Sequence, residues 1–141
     1  MADVVDKATR SRMMSGIRGK DTKPELLVRQ FLHSEGFRFR LHDKNLPGKP
    51  DLVLPKWRTV VLVHGCFWHM HNCKYFKLPS TRTEFWRAKL DSNRKRDELV
   101  RNQLQALGWR VVVVHECQLR DDPQTALRTT EAAIRGDVPI L

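Results

Sequence analysis

Apolar residues first recur at helical spacing at Leu27, Val28, Phe31 and Leu32, a pattern that ends at Gly36. In front of it, Thr22-Lys23-Pro24-Glu25 has the form of a capping box with proline in the first turn, so a helix is predicted over 23–35. The period then changes to two. Phe37-Arg38-Phe39-Arg40-Leu41-His42 alternates apolar and polar, as a half-buried strand does, and Asn45-Leu46-Pro47-Gly48-Lys49-Pro50 is a turn. Beyond it, Asp51-Leu52-Val53-Leu54 and Thr59-Val60-Val61-Leu62-Val63 flank Pro55-Lys56-Trp57-Arg58, which predicts a hairpin. The second run is apolar on both faces and belongs at the centre of a sheet.

Thr81-Arg82-Thr83-Glu84 offers a second capping box, followed by a long helical pattern with Leu90, Val100, Leu104 and Leu107 on one face and Gly108 at its end. Asp97 shares that face. The stretch from Trp109 to His115 is another apolar strand, and Asp122-Pro123 caps a final helix over 123–135. The order αβββαβα, with helices on both sides of buried strands, predicts an α/β fold: one domain with a mixed sheet flanked by helices. The first twenty residues, rich in Arg, Lys, Ser and Gly, contain little to bury. They read as a basic arm over 1–20, mobile or ordered on a partner, ahead of a domain over 21–141. The tail 136–141 carries no inferable role.

The length of 141 residues suits a single core. Twenty-six Lys and Arg against sixteen Asp and Glu leave a net charge of +10, which favours a nucleic-acid partner through phosphate contacts without implying sequence specificity or catalysis. There is no apolar run long enough to span a bilayer, and MADVVDKATR lacks the apolar segment of a secretory signal, so no membrane partner and a cytoplasmic location are expected. An odd cysteine count of three fits a reducing compartment with metal-binding thiols better than a disulfide framework.

The candidate chemistry concentrates in VHGCFWHMHNC, residues 63–73, which holds three of six histidines and two of three cysteines. Cys66, His71 and Cys73, with Cys117 after the strand 111–114, are four donors of the kind that suits tetrahedral zinc, although their spacing is not that of a standard finger and unbound thiols are the alternative. Asp51 follows a proline at the start of an apolar strand, where a carboxylate is expensive to bury unless charge faces it; a turn-capping role is the plainer explanation. As an oxygen donor it suits a hard cation, and a short hairpin brings His64 close to it. His64 and His69, with ordinary pKa values near 6.5, can exchange protons at neutral pH or serve as structural residues. Asp97 can orient one of them through its ring N–H or pair with an arginine. Glu25 has an explanation as the capping-box acid. Phe67, Trp68 and Trp86 are either core or wedges for a base stack, whose unstacking costs about a few kcal/mol per step and less at a mismatch.

Pro50-Asp51, a hairpin, and a buried strand closing in a polar residue form the layout of the PD-(D/E)XK nuclease superfamily. Here its acid-x-lysine falls on Leu62-Val63-His64, so the acid is missing and histidine replaces lysine, a departure that is the rule in one branch. From DKATRSRMMSGIRGKDTKPE through LPGKPDLVL, VHGCFWHMHNC, PSTRTEFW and LGWRVVVVHEC, about residues 5–120, the chain resembles the very-short-patch-repair (Vsr-type) mismatch endonucleases. The resemblance implies a restriction-endonuclease-like fold with a structural zinc site. It also implies a bacterial, monomeric, Mg²⁺-dependent enzyme that nicks one strand of duplex DNA at a T:G mismatch left by deamination of 5-methylcytosine. Such an enzyme is associated with the nucleoid through DNA, with repair proteins as candidate partners.

Carried onto this sequence, the resemblance gives Zn²⁺ to Cys66, His71, Cys73 and Cys117, and Mg²⁺ to Asp51 and the main-chain carbonyl of Val63, where the family has threonine. It makes His69 the general base and His64 its partner near the phosphate, and it brings Glu25 to the active site. Phe67, Trp68 and Trp86 become a wedge beside the mismatch. Met14 grips the opposite groove, while Lys7, Arg10, Arg12 and Arg18 hold phosphates. Two other readings share parts of this set: a restriction-type endonuclease cutting both strands, and a noncatalytic zinc-containing DNA-binding module that has no use for Asp51, His64 and His69.

Overall fold

Four strands order the molecule as β1-β2-β3-β4: β1 (Arg40–Leu41), β2 (Leu52–Leu54), β3 (Thr59–His64) and β4 (Arg110–His115). The computed structural model describes residues 22–136. The basic arm, with Lys7, Arg10, Arg12, Met14 and Arg18, and the tail beyond Gly136 lie outside the described residues. β1, β2 and β3 pair antiparallel and β3 pairs parallel with β4, so the sheet is mixed and β3 is interior, as its two-faced apolar run predicts. The hairpin between β2 and β3 turns through a single 3-10 turn, Pro55–Trp57, with Arg58 left-handed at φ 48°.

Alternate residues of the strands face opposite layers. Leu52, Leu54, Val61, Val112 and Val114 pack with Val28 and Leu32 of helix α1 (Lys23–Ser34) and with Leu127, Ala133 and Ile134 of the last helix. Val53, Val60, Leu62 and Val111 face Leu104 and Val100 of the long helix α2 (Thr83–Ala106). After β4 come a short helix α3 (Glu116–Asp121), which the sequence pattern did not predict, and α4 (Pro123–Arg135), whose predicted cap is present: Asp122 Oδ1 accepts from the Thr125 N–H at 3.2 Å. The result is one mixed α/β domain.

Several local expectations are corrected. The alternating run 37–42 forms a strand only at Arg40–Leu41; Phe37 is drawn into the core against Trp57, 5.6 Å between ring centroids, and Leu41 is exposed. Thr81 does not cap α2. Arg82 occupies that position in the left-handed region, φ 54°, without a side-chain cap, and Thr83 Oγ1 instead donates to the Pro79 carbonyl at 2.9 Å. Leu107 lies past the end of α2 and is 53% exposed, because the chain turns at Gly108 (φ 90°) to enter β4. Gly48 is required on two counts: its φ is 72°, and a Cβ there would sit 2.5 Å from Val100 Cγ1, so the turn before Asp51 can pack beneath α2 only with glycine.

Candidate active site and metal centre

Asp51 enters β2 beneath the end of β3. Its Oδ2 accepts the Val63 N–H at 2.7 Å. In an antiparallel pair a residue's N–H and C=O leave the strand on the same edge, so the Val63 carbonyl also faces the Asp51 side. Glu25 joins from α1: its N–H donates to Thr22 Oγ1 at 3.4 Å, but its buried carboxylate is turned to the site, held by Arg29 one turn along and by His42 Nε2 at 2.9 Å. Oxygens of Glu25 and Asp51 and a ring nitrogen of His42 lie within 4.8 Å of one another. Burial, with the neighbouring Glu25 charge adding to it and the Val63 N–H opposing, pushes the Asp51 carboxyl up to about 7. A carboxylate pair of this kind, one member buried and the other half-buried, fits a hard divalent cation.

On the α2 face of the same strand end lie the imidazoles. His69 Nδ1 is 2.5 Å from Asp97 Oδ2, so Asp97 engages a histidine. His64 stacks flat on His69, 3.7 Å between centroids and 3° between planes. Burial, then the adjacent His69, lowers His64 to about 3 against the pull of Asp97, so His64 is a neutral imidazole at physiological pH. His115, at the end of β4, meets His64 edge-on at 6.0 Å and stacks on His71 at 3.7 Å; burial and His71 lower it to about 4. These rings, Asp97, Arg94 and Arg101 line an open cleft of about 960 Å³. The register keeps His64 in a group with His69 and Asp97 on one face of β3 and Asp51 with Glu25 and His42 in another, the two joined through Val63.

The loop after β3 separates its neighbours by turning tightly. His71 N–H donates to Cys66 O at 2.9 Å, His69 N–H to Gly65 O at 3.2 Å, and Met70 takes a left-handed φ of 50°. Cys66, His71, Cys73 and Cys117 thereby bring their ligand atoms within 4.8 Å of one another. Around a cation with bonds of about 2.3 Å to sulfur and 2.0 Å to nitrogen, tetrahedral sites stand about 3.5 Å apart for an S–N pair. His71 Nδ1 is 3.6 Å from Cys66 Sγ and 3.4 Å from Cys117 Sγ. Burial pushes the Cys66 thiol up to about 12 and raises Cys117. It opposes ionisation of Cys73 too, but hydrogen bonds from the Tyr75 N–H, the Cys66 and Cys117 thiols and the Phe76 N–H together outweigh it and hold that thiol below its ordinary value. The donor set and spacing fit a closed four-ligand zinc site.

Phe67, Trp68 and Trp86 form one half-buried cluster, with Phe67 5.0 Å from Trp68 and 5.6 Å from Trp86. Asn93 of α2 fixes its backbone, donating to Trp68 O at 3.2 Å. Two site residues escaped the sequence reading. His42 stands next to Leu41, which pairs with Leu52, so strand pairing alone would have set it opposite Asp51. His115 had a clearer signal: β3 and β4 both close on Val-His-X-Cys, Val63 to Cys66 and Val114 to Cys117, and parallel pairing superposes the two tetrapeptides with His64 opposite His115.

The family model described as DNA mismatch endonuclease Vsr matches residues 2–75. The chain is 51% identical over 120 residues to the DNA mismatch endonuclease Vsr of Escherichia coli (strain K12), covering 85% of this chain and 77% of that one. It is 49% identical over 136 residues to the type II nicking enzyme V.XorIIP of Xanthomonas oryzae pv. oryzae, covering 96% of each. To the type II nicking enzyme V.NmeAIP of Neisseria meningitidis it is 46% identical over 121 residues, 86% of each chain.

Proposed function

The chain belongs to the Vsr family of DNA mismatch endonucleases, and from that premise we propose that it nicks one strand of duplex DNA beside a T:G mismatch by Mg²⁺-dependent hydrolysis of a phosphodiester. The observation that carries this reading is the meeting, across Val63, of a carboxylate pair, half-buried Asp51 and buried Glu25, with the His69–Asp97 pair. We place the scissile phosphate between them, on a scaffold of the PD-(D/E)XK type.

Asp51 and the Val63 carbonyl would hold the magnesium ion, which supplies charge neutralisation at phosphorus and makes water more acidic. Asp97 accepts the Nδ1–H of His69, which fixes the tautomer with Nε2 as the free acceptor; that nitrogen takes the proton of the attacking water. His64, neutral through burial, keeps a ring N–H to donate to the phosphate and braces His69 by stacking. Cys66, His71, Cys73 and Cys117 would close around zinc with no position left for water, so that metal holds the loop rather than performing chemistry. Phe67, Trp68 and Trp86, gathered on that loop and the start of α2, wedge the stack beside the mismatch. The basic arm, through Lys7, Arg10, Arg12 and Arg18, takes phosphates, and Met14 enters the opposite groove.

Labelled duplexes, matched or carrying one T:G pair, test this directly. With magnesium, one strand of the mismatched duplex is cut and the matched duplex is left intact. Cleavage of both strands of a matched duplex would indicate a restriction-type enzyme, and binding with no cleavage a DNA-binding module.

A further inference from the structure

His42 touches both acids and has no part in the reaction scheme above. Its backbone N–H donates to the main-chain oxygen of Asp51 at 3.2 Å, and its Nε2 lies 2.9 Å from Glu25 Oε2. Its φ of 48° is a left-handed conformation uncommon for a residue with a side chain, in the turn that follows β1. Glu25 stands on α1 and Asp51 at the mouth of β2, so their separation is set by side-chain torsions as well as by the fold. Once Asp51 has given up its proton the two carboxylates repel, and a glutamate has three torsions by which to swing away. His42 and Arg29 both hold Glu25 Oε2, and the His42 backbone is also bonded to the Asp51 backbone.

We propose that His42 is a positioning residue that fixes the Glu25 carboxylate beside Asp51, so that the two acids form a preset oxygen pair for one divalent cation. The inference rests on the reading of Asp51 as the cation-binding acid. A carboxylate oxygen only accepts, so the ring must present Nε2–H to Glu25, and the imidazole acts through Glu25 rather than on the cation. Partners of this kind, which orient a ligand without touching the ion, typically change metal affinity by about 10- to 100-fold when removed.

The test uses the full chain and His42→Asn, since asparagine tolerates the left-handed backbone. The Mg²⁺ concentration for half-maximal nicking should rise about tenfold, at the low end of that range, while the rate at saturating Mg²⁺ stays within about twofold. Calorimetric titration of Mg²⁺ and of Mn²⁺ without DNA should show the same weakening for both ions, with unchanged zinc content. His42→Gln, which restores an N–H at similar reach, should recover part of the affinity. A weakening confined to the nitrogen-tolerant Mn²⁺ would make His42 a ligand and overturn the proposal. Wild-type titrations for His42→Asn would overturn it as well, provided that Asp51→Ala abolishes binding; if Asp51→Ala still binds Mg²⁺ and nicks normally, it is the site reading itself that fails.

Discussion

Asp51 is pushed up to about 7 because its carboxylate is buried beside Glu25. In the unfolded chain it loses its proton near 3.8, so between that pH and about 7 the folded, metal-free protein holds one proton more than the unfolded one. The associated stability is complete at the acid end and is lost as pH rises, at roughly 1.4 kcal/mol per pH unit. A cation takes the place of that proton. The rise in melting temperature caused by Mg²⁺ should therefore be small at pH 6 and larger at pH 8, and absent at both in Asp51→Asn; a pH-independent rise in the wild type would put the cation elsewhere. His64 and His115 have the opposite sign. Their depressed values, about 3 and about 4, mean that stability present above the ordinary 6.5 is lost as pH falls below it. Asp51 and the two imidazoles thus pull the pH profile in opposite directions.

At the scale of elements, the turn holding Gly48 and the helix holding Val100 and Asp97 are fitted to each other. Gly48→Ala introduces both a left-handed alanine and a Cβ inside the Val100 methyl, and should destabilise the protein by about 2 kcal/mol or more, read as a lower urea midpoint. Cys117, at the start of α3, would under the proposed zinc reading be the ligand that ties the loop after β3 to the end of β4. Cys117→Ser should lower the bound zinc of protein purified without chelator and lower nicking in parallel; full zinc occupancy would remove Cys117 from the metal centre. Periodicity made β3, β4, α1 and α4 legible, since each has a strong apolar face or a proline-bearing cap. It failed at the start of α2, where Thr81 matched a capping box but the chain reached the helix through a left-handed Arg82. It failed too at 37–42, where the alternation reflected two inward phenylalanines rather than a long strand. Asp51 and the cysteine set were visible as residue types in unusual company, whereas His42 required knowledge of which strands pair.

For the whole molecule, the +10 charge is an electrostatic rather than an architectural property. Each phosphate neutralised on duplex DNA steepens the dependence of log affinity on log salt by about 0.9, so phosphate contacts by Lys7, Arg10, Arg12 and Arg18, four of the five Lys and Arg in residues 1–20, would account for about 3.6 of the slope. Removing residues 1–20 should flatten the slope for a matched duplex by nearly that amount, measured by titration across salt concentrations. An unchanged slope would mean that the arm does not meet phosphate. The sign of the charge was legible in composition, whereas the expected division of labour within residues 63–73 came from the family resemblance alone, because composition and spacing carry neither the turn at Gly65 nor the strand supplied from much later in the chain.

The two Val-His-X-Cys endings lie side by side because β3 and β4 are paired in one register. A slip by a single residue would carry Cys117 about 3.3 Å along the sheet and turn its neighbours to the opposite face. Four ligands converging on one ion tolerate no such displacement. With zinc at this centre, a misaligned chain binds metal poorly and gains little stability from it, whereas the correctly aligned chain is captured. The metal would then act as a checkpoint during folding, sealing only those molecules whose imidazoles already stand in the order that hydrolysis needs.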